Sequence, residues 1–326
     1  MSSLELIRHT VDDFLGPAEK RFFASGYRRV DYGFGEVGVD RTGIATTLRL
    51  GYPADWSKKA AAKGALPPHL STVDGILLGA QLTELCLTAT YRLTAAQRQL
   101  IWLQDIRIRA GSTPDEMLDQ VPATATLAET VNYPGGRSRS TVDIRVGRMR
   151  IRCAAVHDTA VANPAHGRHR DPEAMLGPAA SRYYATGFVR GGHRVDELSV
   201  DADGLRATAS VTVHVVNADQ GIEGAYQPRA TAVDAFVTGL QLGQVLLYEL
   251  DSMRRGASNT LWMRNTHMTL TEPGDDLIER VPLTTAIENP KLIEMSGGVW
   301  RTADIVAELG GTRFTCAVTH QLPNRI

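Results

Sequence analysis

Hydrophobic side chains occupy nearly every position of residues 71–87, and only Gln81, Thr83 and Glu84 interrupt them after the first turn. Ser71 followed by Asp74 has the spacing of a capping box, which predicts that a helix begins here. A surface helix has a single apolar stripe, whereas this stretch is apolar around its circumference, so we expect it to be enclosed. Such a helix spans about 25 Å, and its polar interruptions argue against a membrane span.

The same pattern returns over residues 231–247, where Asp234 lies 160 positions after Asp74 (234 − 74). Gly79 and Gln81 recur at the same interval as Gly239 and Gln241. Other matches run through both halves: Leu15-Gly16-Pro17-Ala18 with Leu176-Gly177-Pro178-Ala179, Trp102 with Trp262, Val121-Pro122 with Val281-Pro282, and Cys153 and His157 with Cys316 and His320. We infer a tandem duplication of a unit of about 160 residues, which is the size of an ordinary domain.

Short alternating segments bounded by turn residues predict about six strands in each half. They fall at 27–39, 44–52, 99–110, 123–132, 138–146 and 149–156, and at 193–200, 204–216, 259–270, 282–288, 299–308 and 312–320; brief helices are predicted at 17–25 and 178–186. An antiparallel sheet curled around each long helix would enclose it. The predicted fold is therefore α+β, a tandem double hot dog, with domains at 1–157 and 175–326 and a linker at 158–174. Gly79 and Gly239 are expected where the sheet approaches each helix closely.

Composition narrows the possible partners and the compartment. Lys and Arg number 35 against 36 Asp and Glu, giving a net charge of −1, and no run of basic residues stands out. Nucleic acid and membrane surfaces are therefore not expected as partners. Three cysteines cannot all pair, and no signal peptide is evident at the N-terminus, so we expect a soluble cytoplasmic protein in a reducing compartment.

Asp74 and Asp234 are the first candidates for catalysis. As helix caps, their carboxylates would accept hydrogen bonds from backbone amides of the first turn. As general bases, they would take a proton from a substrate hydroxyl. Helix-end amides lower a carboxyl pKa and burial raises it, so the surroundings decide between the two roles.

The long helices carry polar side chains that could bind substrate. Gln81 and Gln241 lie two turns after each aspartate, on roughly the same helix face, and Glu84 corresponds to Gln244 in the second half. Buried polar groups need hydrogen-bond partners. Those partners are either the backbone of a neighbouring strand or a bound substrate, and both interpretations stay open.

His69 precedes the first long helix, whereas the equivalent position in the second half is Arg229. Duplicated halves differ where one site works and the other does not, or where each binds a different end of a ligand. His69 is a candidate acid or base, and Arg229 is a candidate anchor for a phosphate or the arm of a thioester. Each could also be a solvated residue in a loop.

Metal binding is not expected. Cys153 and His157, like their counterparts in the second half, are four residues apart on a predicted strand, which separates them by about 13 Å. His166 and His169 fall in the polar linker. Arg107 and Arg109 alternate with apolar residues, so they should share one face of a strand, either solvated or in contact with a phosphate. We predict no metal and no cofactor.

Two of these segments together resemble the AvrD family of bacterial proteins, which are linked to syringolide biosynthesis. The resemblance rests on Leu-Gly-Pro-Ala followed by Arg-Phe-Phe-Ala-Ser-Gly-Tyr at residues 15–27, and on the Ser-Thr-Val-Asp helix start with Gln81. It implies condensation of a β-ketoacyl thioester, carried by an acyl carrier protein or coenzyme A, with a ketose such as xylulose or its phosphate, giving an acyl-sugar butenolide. A-factor synthases, which also have paired hot-dog-like halves, follow a related logic.

A second resemblance gives an alternative. His69 and Asp74, with Gln81 downstream, resemble the second dehydratase motif of polyketide synthases, but the sequence has no His-x-x-x-Gly-x-x-x-x-Pro run, which argues against ordinary dehydration. Thioesterase activity and non-catalytic binding of a small molecule also remain alternatives. If the protein is an AvrD-like condensing enzyme, we expect the acyl chain to lie along the apolar helices and the thioester carbonyl to lie at a helix N-terminus. Asp74 or His69 would be the base. A monomer or a homodimer is expected.

Overall fold

Six helices are present in the computed structural model, which describes residues 10–56, 67–214, 218–254, 260–274, 278–295 and 297–323. Two of them, α2 and α6, are long, and both begin with the predicted capping box, at Ser71 and Thr231. The helices are α1 (Val11–Leu15), α2 (Thr72–Tyr91), α3 (Ala95–Gln99), α4 (Glu173–Leu176), α5 (Phe188–Arg190) and α6 (Ala232–Leu250).

One antiparallel sheet of 14 strands curves around the two long helices. Its order is β8-β2-β3-β5-β6-β7-β4-β11-β14-β13-β12-β10-β9, with β1 paired to β3. The strands are β1 (Asp31–Phe34), β2 (Val37–Asp40), β3 (Gly43–Gly51), β4 (Trp102–Arg109), β5 (Val121–Tyr133), β6 (Arg137–Val146), β7 (Met149–Asp158), β8 (Gly167–His169), β9 (Gly192–Asp201), β10 (Arg206–His214), β11 (Trp262–Leu270), β12 (Val281–Met295), β13 (Gly298–Leu309) and β14 (Thr312–Gln321).

Each half wraps its own sheet around its own helix, and β4 and β11 join the two halves into a continuous sheet. The predicted double hot dog is confirmed. Helices α2 and α6 contact each other, and nearly all of their residues are buried. Within the predicted linker, β8 pairs with β2 of the first half. The domain boundaries themselves stay a prediction.

Close approach of sheet and helix explains the repeated glycines. A Cβ added at Gly79 would lie 3.1 Å from Ile151 Cγ2, and one at Gly239 would lie 2.6 Å from Ala307 Cβ. Real Cβ atoms rarely come this close to their neighbours, so side chains at these positions would push the sheet away. The packing role predicted for both glycines agrees with these distances.

The brief helices predicted at 17–25 and 178–186 are divided into single turns. The backbone is extended at Arg21 (φ −114°, ψ 128°) and, in the second half, at Arg182 (φ −111°, ψ 124°). These two breaks interrupt the helices at the arginines, whose side chains contact the long helix of the opposite half. Strand β12 also continues to Met295, beyond the predicted end at 288.

Among the described residues, no helix combines the length and the apolar character that crossing a bilayer requires.

Candidate active site between the two halves

A cavity of about 700 Å³ opens at the N-terminal end of α2. Both halves contribute to it: the start of α2 and the segment around Arg21 come from the first half, and α6 and strands β11 to β14 come from the second. The side chains used below are Arg21, Phe22, Phe23, Trp56, His69, Thr72, Gln244, Leu261, Trp262, Arg264, Asn289, Lys291, Ile293 and Asp304. A site of this size accommodates a small organic substrate.

His69 is held at the wall of this cavity by two tryptophans. Its ring stacks on Trp262, with centroids 5.4 Å apart and planes at 30°, and meets Trp56 edge to face at 5.2 Å. Its Nδ1 lies 3.2 Å from the carbonyl oxygen of Pro67. Because a carbonyl only accepts, this hydrogen bond puts the proton on Nδ1 and leaves the Nε2 lone pair available as a base.

Gln244 lines the same cavity from the middle of α6, although only 7% of its surface is exposed. No hydrogen-bond partner for its side chain is found among the described residues, so both its amide donor and its carbonyl are available to a ligand. Thr72 is the first residue of α2, and the N–H groups of a first helical turn have no acceptor within the helix. These two positions offer hydrogen-bond donors to an oxygen bound in the cavity.

The walls of the cavity are apolar in one part and charged in another. Phe22, Phe23 and Leu261 provide hydrophobic surface, and Ile293 extends it from the end of β12. The polar part contains exposed Lys291 and Arg264, together with Asn289, whose Nδ2 donates a 2.9 Å hydrogen bond to Asp304 Oδ2. A substrate with a hydrophobic tail and a polar or anionic head would match these apolar and polar parts of the cavity wall.

Asp74 lies next to the cavity but does not line it. The carboxylate is fully buried and accepts hydrogen bonds from the hydroxyls of Tyr32 and Tyr52 and, at 2.6 Å, from the backbone N–H of Ser71. Burial raises the pKa of Asp74, and these hydrogen bonds oppose the rise. The contacts favour the capping interpretation, and a catalytic role for Asp74 stays a prediction.

Asp234 has a similar environment at the start of α6. It accepts hydrogen bonds from the Thr231 hydroxyl at 2.7 Å, the Thr231 N–H at 3.0 Å and the Tyr183 hydroxyl at 3.3 Å. Burial raises the pKa of Asp234. His193 Nδ1 is 3.9 Å away, and burial, together with the nearby Arg28 and Arg21, lowers the pKa of His193 to about 3. Asp234 is therefore also a buried cap, outside the 700 Å³ cavity.

The other predicted substrate-binding residues fall into three environments. Gln81 turns back on its own helix, with Nε2 3.5 Å from the Leu77 carbonyl. Gln241 accepts a 2.6 Å hydrogen bond from Arg21 Nη1. Arg229 is buried and donates from Nε to the carbonyl of Ala230 at 3.3 Å, away from the cavity. Their substrate roles stay predictions; of the predicted residues, only His69 and Gln244 line the cavity.

Glu84, the counterpart of Gln244, is buried beside two arginines. Its carboxylate lies 3.4 Å from Arg98 Nε and 3.9 Å from Arg182 Nη1. Burial raises the pKa of Glu84, while Arg182 and Arg98 oppose the rise. A buried charge persists only when other groups compensate it, and the contact with Arg182 joins the two halves. A substrate-binding role for Glu84 stays a prediction.

At the start of α6, the position that corresponds to the cavity is filled by protein side chains. Trp102, the counterpart of Trp262, is 1% exposed, and Tyr184, the counterpart of Phe23, donates a 2.8 Å hydrogen bond to Glu223. Glu223 also accepts from the Leu103 N–H at 3.0 Å. Glu223, which precedes α6 in the chain, thus packs against Tyr184 and the start of β4 at this position.

Among the described residues, no three His, Cys, Asp or Glu side chains are placed to hold a metal ion. Cys153 and Cys316 are buried, and burial raises the pKa of each thiol to about 12. His157 accepts or donates a 2.8 Å hydrogen bond with Ser140 and so has a structural partner.

Sequence reasoning did not identify the aromatic and basic walls of the site. Trp262 could have been found from its match with Trp102, and Arg21, Phe22 and Phe23 from their repetition as Arg182, Tyr183 and Tyr184. No repetition between the halves marks Lys291 or Asp304. These two residues reach the cavity through the extension of β12 and the pairing of β12 with β13.

Comparison with known proteins places the chain in a family. Solved structures with a similar arrangement include a TesB protein of Mycobacterium avium subsp. paratuberculosis (12% identity, TM-score 0.39, covering 87% of this chain and 95% of that one). A double hot dog protein of Mycobacterium tuberculosis (14%, 0.41, 80% and 84%) and a MaoC-like dehydratase (12%, 0.35, 82% and 88%) are also similar. No curated protein matches. The family model of the Pseudomonas avirulence D protein (AvrD) matches residues 7–323, and the chain therefore belongs to the AvrD family.

Proposed function

We propose that this AvrD-family protein is an acyltransferase that joins a β-ketoacyl thioester to a ketose, such as xylulose or its phosphate, on the way to an acyl-sugar butenolide. The observation that carries the proposal is the position of His69, which is held between Trp56 and Trp262 at the wall of a cavity that Gln244 and Thr72 also line. A base and hydrogen-bond donors at one cavity are the requirements of acyl transfer.

The proposed first step forms an ester. Nε2 of His69 takes the proton from a sugar hydroxyl, and the hydroxyl oxygen attacks the thioester carbon. Gln244 and the free N–H groups at the start of α2 stabilise the negative charge that develops on the carbonyl oxygen. The C–S bond then breaks, and the leaving thiolate takes the proton from the imidazolium.

The second step closes the ring. The methylene carbon between the two carbonyls of the β-ketoacyl ester is acidic, and its carbanion adds to the ketone carbon of the sugar. Loss of water from that aldol adduct gives the butenolide. This step proceeds either on the protein or in solution after release.

Each part of the substrate has matching surface in the cavity. The acyl chain would lie against Phe22, Phe23 and Leu261, since burying apolar area is favourable by about 25 cal/mol per Å². The sugar would lie in the polar part, where the Asn289 amide can donate and accept hydrogen bonds, the Asp304 carboxylate can accept them, and Lys291 offers a charge to a phosphate.

Mass spectrometry of the products tests the proposal. Purified protein is incubated with a 3-oxoacyl thioester, first alone and then with xylulose or xylulose 5-phosphate. The proposal expects an acyl-sugar mass that depends on both substrates and disappears in a His69→Asn variant. Free 3-oxoacid formed equally with and without sugar would identify a thioesterase instead. Tight binding without any turnover would identify a binding protein.

A further inference from the structure

Three arginines lie directly opposite one another on the outer face of the sheet. Arg145 on β6 is the register partner of Arg150 on β7. On the other side of β7, Arg150 is also the register partner of Arg109 on β4. Thr124 and Asn265 continue this arginine row at its two ends. All three arginine side chains are exposed and line one groove on the outer face.

Within the part of the chain that the structure describes, no carboxylate pairs with this arginine row. None of the three guanidinium groups has an ion-pair partner among the described residues, and neighbouring strands are only about 4.8 Å apart. Like charges directly opposite one another destabilise a sheet. Repulsion among the three arginines therefore lowers the stability of the free protein, and an anionic ligand bound to them would offset that repulsion.

The adjacent row across the same strands is neutralised. Arg152 makes two hydrogen bonds to Asp143, at 2.6 and 2.8 Å. Arg107 Nε lies 3.0 Å from Asp105, which also contacts His267 at 2.6 Å. The two rows lie on the same strands. Among the described residues, carboxylates pair with the arginines of the adjacent row but not with those of the arginine row. The sequence shows no run of basic residues at these positions, because the strand register collects arginines that are far apart in the chain.

We propose that the arginine row binds an acidic helix of the carrier protein that delivers the acyl thioester; this inference rests on the proposed function. Carboxylates three or four residues apart on a helix are about 5–6 Å from each other. That interval is close to the strand spacing, so a helix lying across β6, β7 and β4 brings one carboxylate to each arginine. Each contact is a charge-assisted hydrogen bond.

The row also lies at the strand ends that border the cavity. Ala110 follows Arg109 and Met149 precedes Arg150, and both Ala110 and Met149 line the cavity. Arg264, at the cavity edge, is one residue from the end of the row and has no ion-pair partner among the described residues. A carrier docked here would hold its flexible thioester arm at the entrance to the site of His69.

Nucleic acid fits this surface less well than an acidic helix. The chain has a net charge of −1, and the arginine row is short. Duplex binding depends on many phosphate contacts distributed over a larger basic surface. A single helix bearing three or four carboxylates is neutralised by a row of this length.

Binding of a bacterial acyl carrier protein in its holo form tests the proposal. Fluorescence anisotropy would measure Kd for the wild type, for Arg150→Glu, and for the triple variant Arg109→Glu, Arg145→Glu, Arg150→Glu. We expect Kd to rise at least tenfold in the single variant and further in the triple variant, and to rise with NaCl in the wild type. Arg206→Glu, an exposed strand arginine of the other half, is the matched control and should bind as the wild type does.

Turnover separates docking from chemistry. With a 3-oxoacyl carrier protein as donor, kcat/KM of Arg150→Glu should fall about as much as its affinity; with the 3-oxoacyl pantetheine thioester, it should equal that of the wild type. Wild-type protein that does not bind the carrier, variants that bind it normally, or tighter binding of duplex DNA than of the carrier would each overturn the proposal. Specific carrier binding without turnover of either donor would leave the docking surface standing and refute the acyl-transfer function.

Discussion

Arg21 donates a 2.6 Å hydrogen bond from Nη1 to Oε1 of Gln241, a residue 220 positions later, and so ties the N-terminal segment of the first half to the long helix of the second. Arg182, the counterpart of Arg21, makes a contact in the opposite direction, to Glu84 on α2, with Nη1 and Oε2 3.9 Å apart. Each half therefore places one buried arginine against the helix of the other. The two contacts differ in the partner, which is a neutral amide in one and a carboxylate in the other.

That difference predicts an order of stability losses. Arg182→Met should lower the free energy of unfolding by about 3–5 kcal/mol, because the Glu84 charge stays buried with a partner removed. Arg21→Met should cost about 1–3 kcal/mol, since the neutral amide of Gln241 loses its donor and the pair with half-exposed Asp12 is lost as well. Urea denaturation followed by circular dichroism measures both. Arg29→Met, which removes an exposed pair with Asp55, is the control and should cost less than about 1 kcal/mol. Equal losses at Arg21 and Arg182 would contradict this account.

His69 should matter for turnover and little for folding. We expect His69→Asn to lower kcat by about 10²–10⁴-fold, because the proposed base is lost, while the midpoint of denaturation stays close to that of the wild type. Initial rates of acyl-sugar formation measure the effect. His166→Asn changes an exposed histidine outside the cavity and serves as the control. Wild-type rates in His69→Asn would remove this residue from the chemistry.

Gln244 and Gln81 are both buried glutamines on the long helices, yet only Gln244 lines the cavity. Gln244→Leu should lower kcat/KM about tenfold, equivalent to about 1.4 kcal/mol of lost hydrogen bonding in the transition state. Gln81→Leu should leave kcat/KM unchanged, because the Gln81 amide bonds its own helix. Steady-state kinetics of the two variants compares them directly, and equal effects would count against the proposed position of the substrate.

Gly239 tests the contact between helix and sheet. Alanine is favoured over glycine in a helix by about 1 kcal/mol, but a Cβ here would lie 2.6 Å from Ala307 Cβ and 2.7 Å from Phe314 Cε1. We therefore expect Gly239→Ala to lower stability by about 1–3 kcal/mol through overpacking. Thermal or urea denaturation is the measurement. Gly274→Ala, with no atom within 4 Å of its new Cβ, should be close to neutral, and a stabilised Gly239→Ala would refute the close approach.

His193 should make stability depend on pH. Its pKa of about 3 in the folded protein lies below the ordinary value of 6.5, so between these values the unfolded chain binds the additional proton. Stability contributed by neutral His193 is thus present above about pH 6.5 and is lost as the pH falls, by at most about 1.4 kcal/mol per pH unit. Denaturation at pH 4, 5, 6 and 7 should show a shallower loss for His193→Gln than for the wild type. His166→Gln, an exposed control in the first half, should follow the wild type, and parallel curves for His193→Gln would refute the assignment.

Much of the fold could be predicted because it depends on short-range rules. The capping boxes at Ser71 and Thr231 fix where α2 and α6 begin, and the apolar run around each helix requires a sheet to cover it. The interval of 160 residues between matching positions indicated that the same helix and sheet occur in both halves. The capping boxes and the apolar runs each involve residues less than about twenty positions apart, and their local interactions do not depend on the rest of the chain.

The candidate site depended on tertiary structure, because its residues meet only after distant segments pack. His69 stacks on Trp262, which is 193 positions later, and Arg109 joins Arg145 and Arg150 only through strand register. Gln81 and Gln244 are both polar interruptions of an apolar helix, and what lies beside each is set by the opposite half. The sequence determined which segments must be buried, and packing between the halves decided which polar groups were left facing an open cavity.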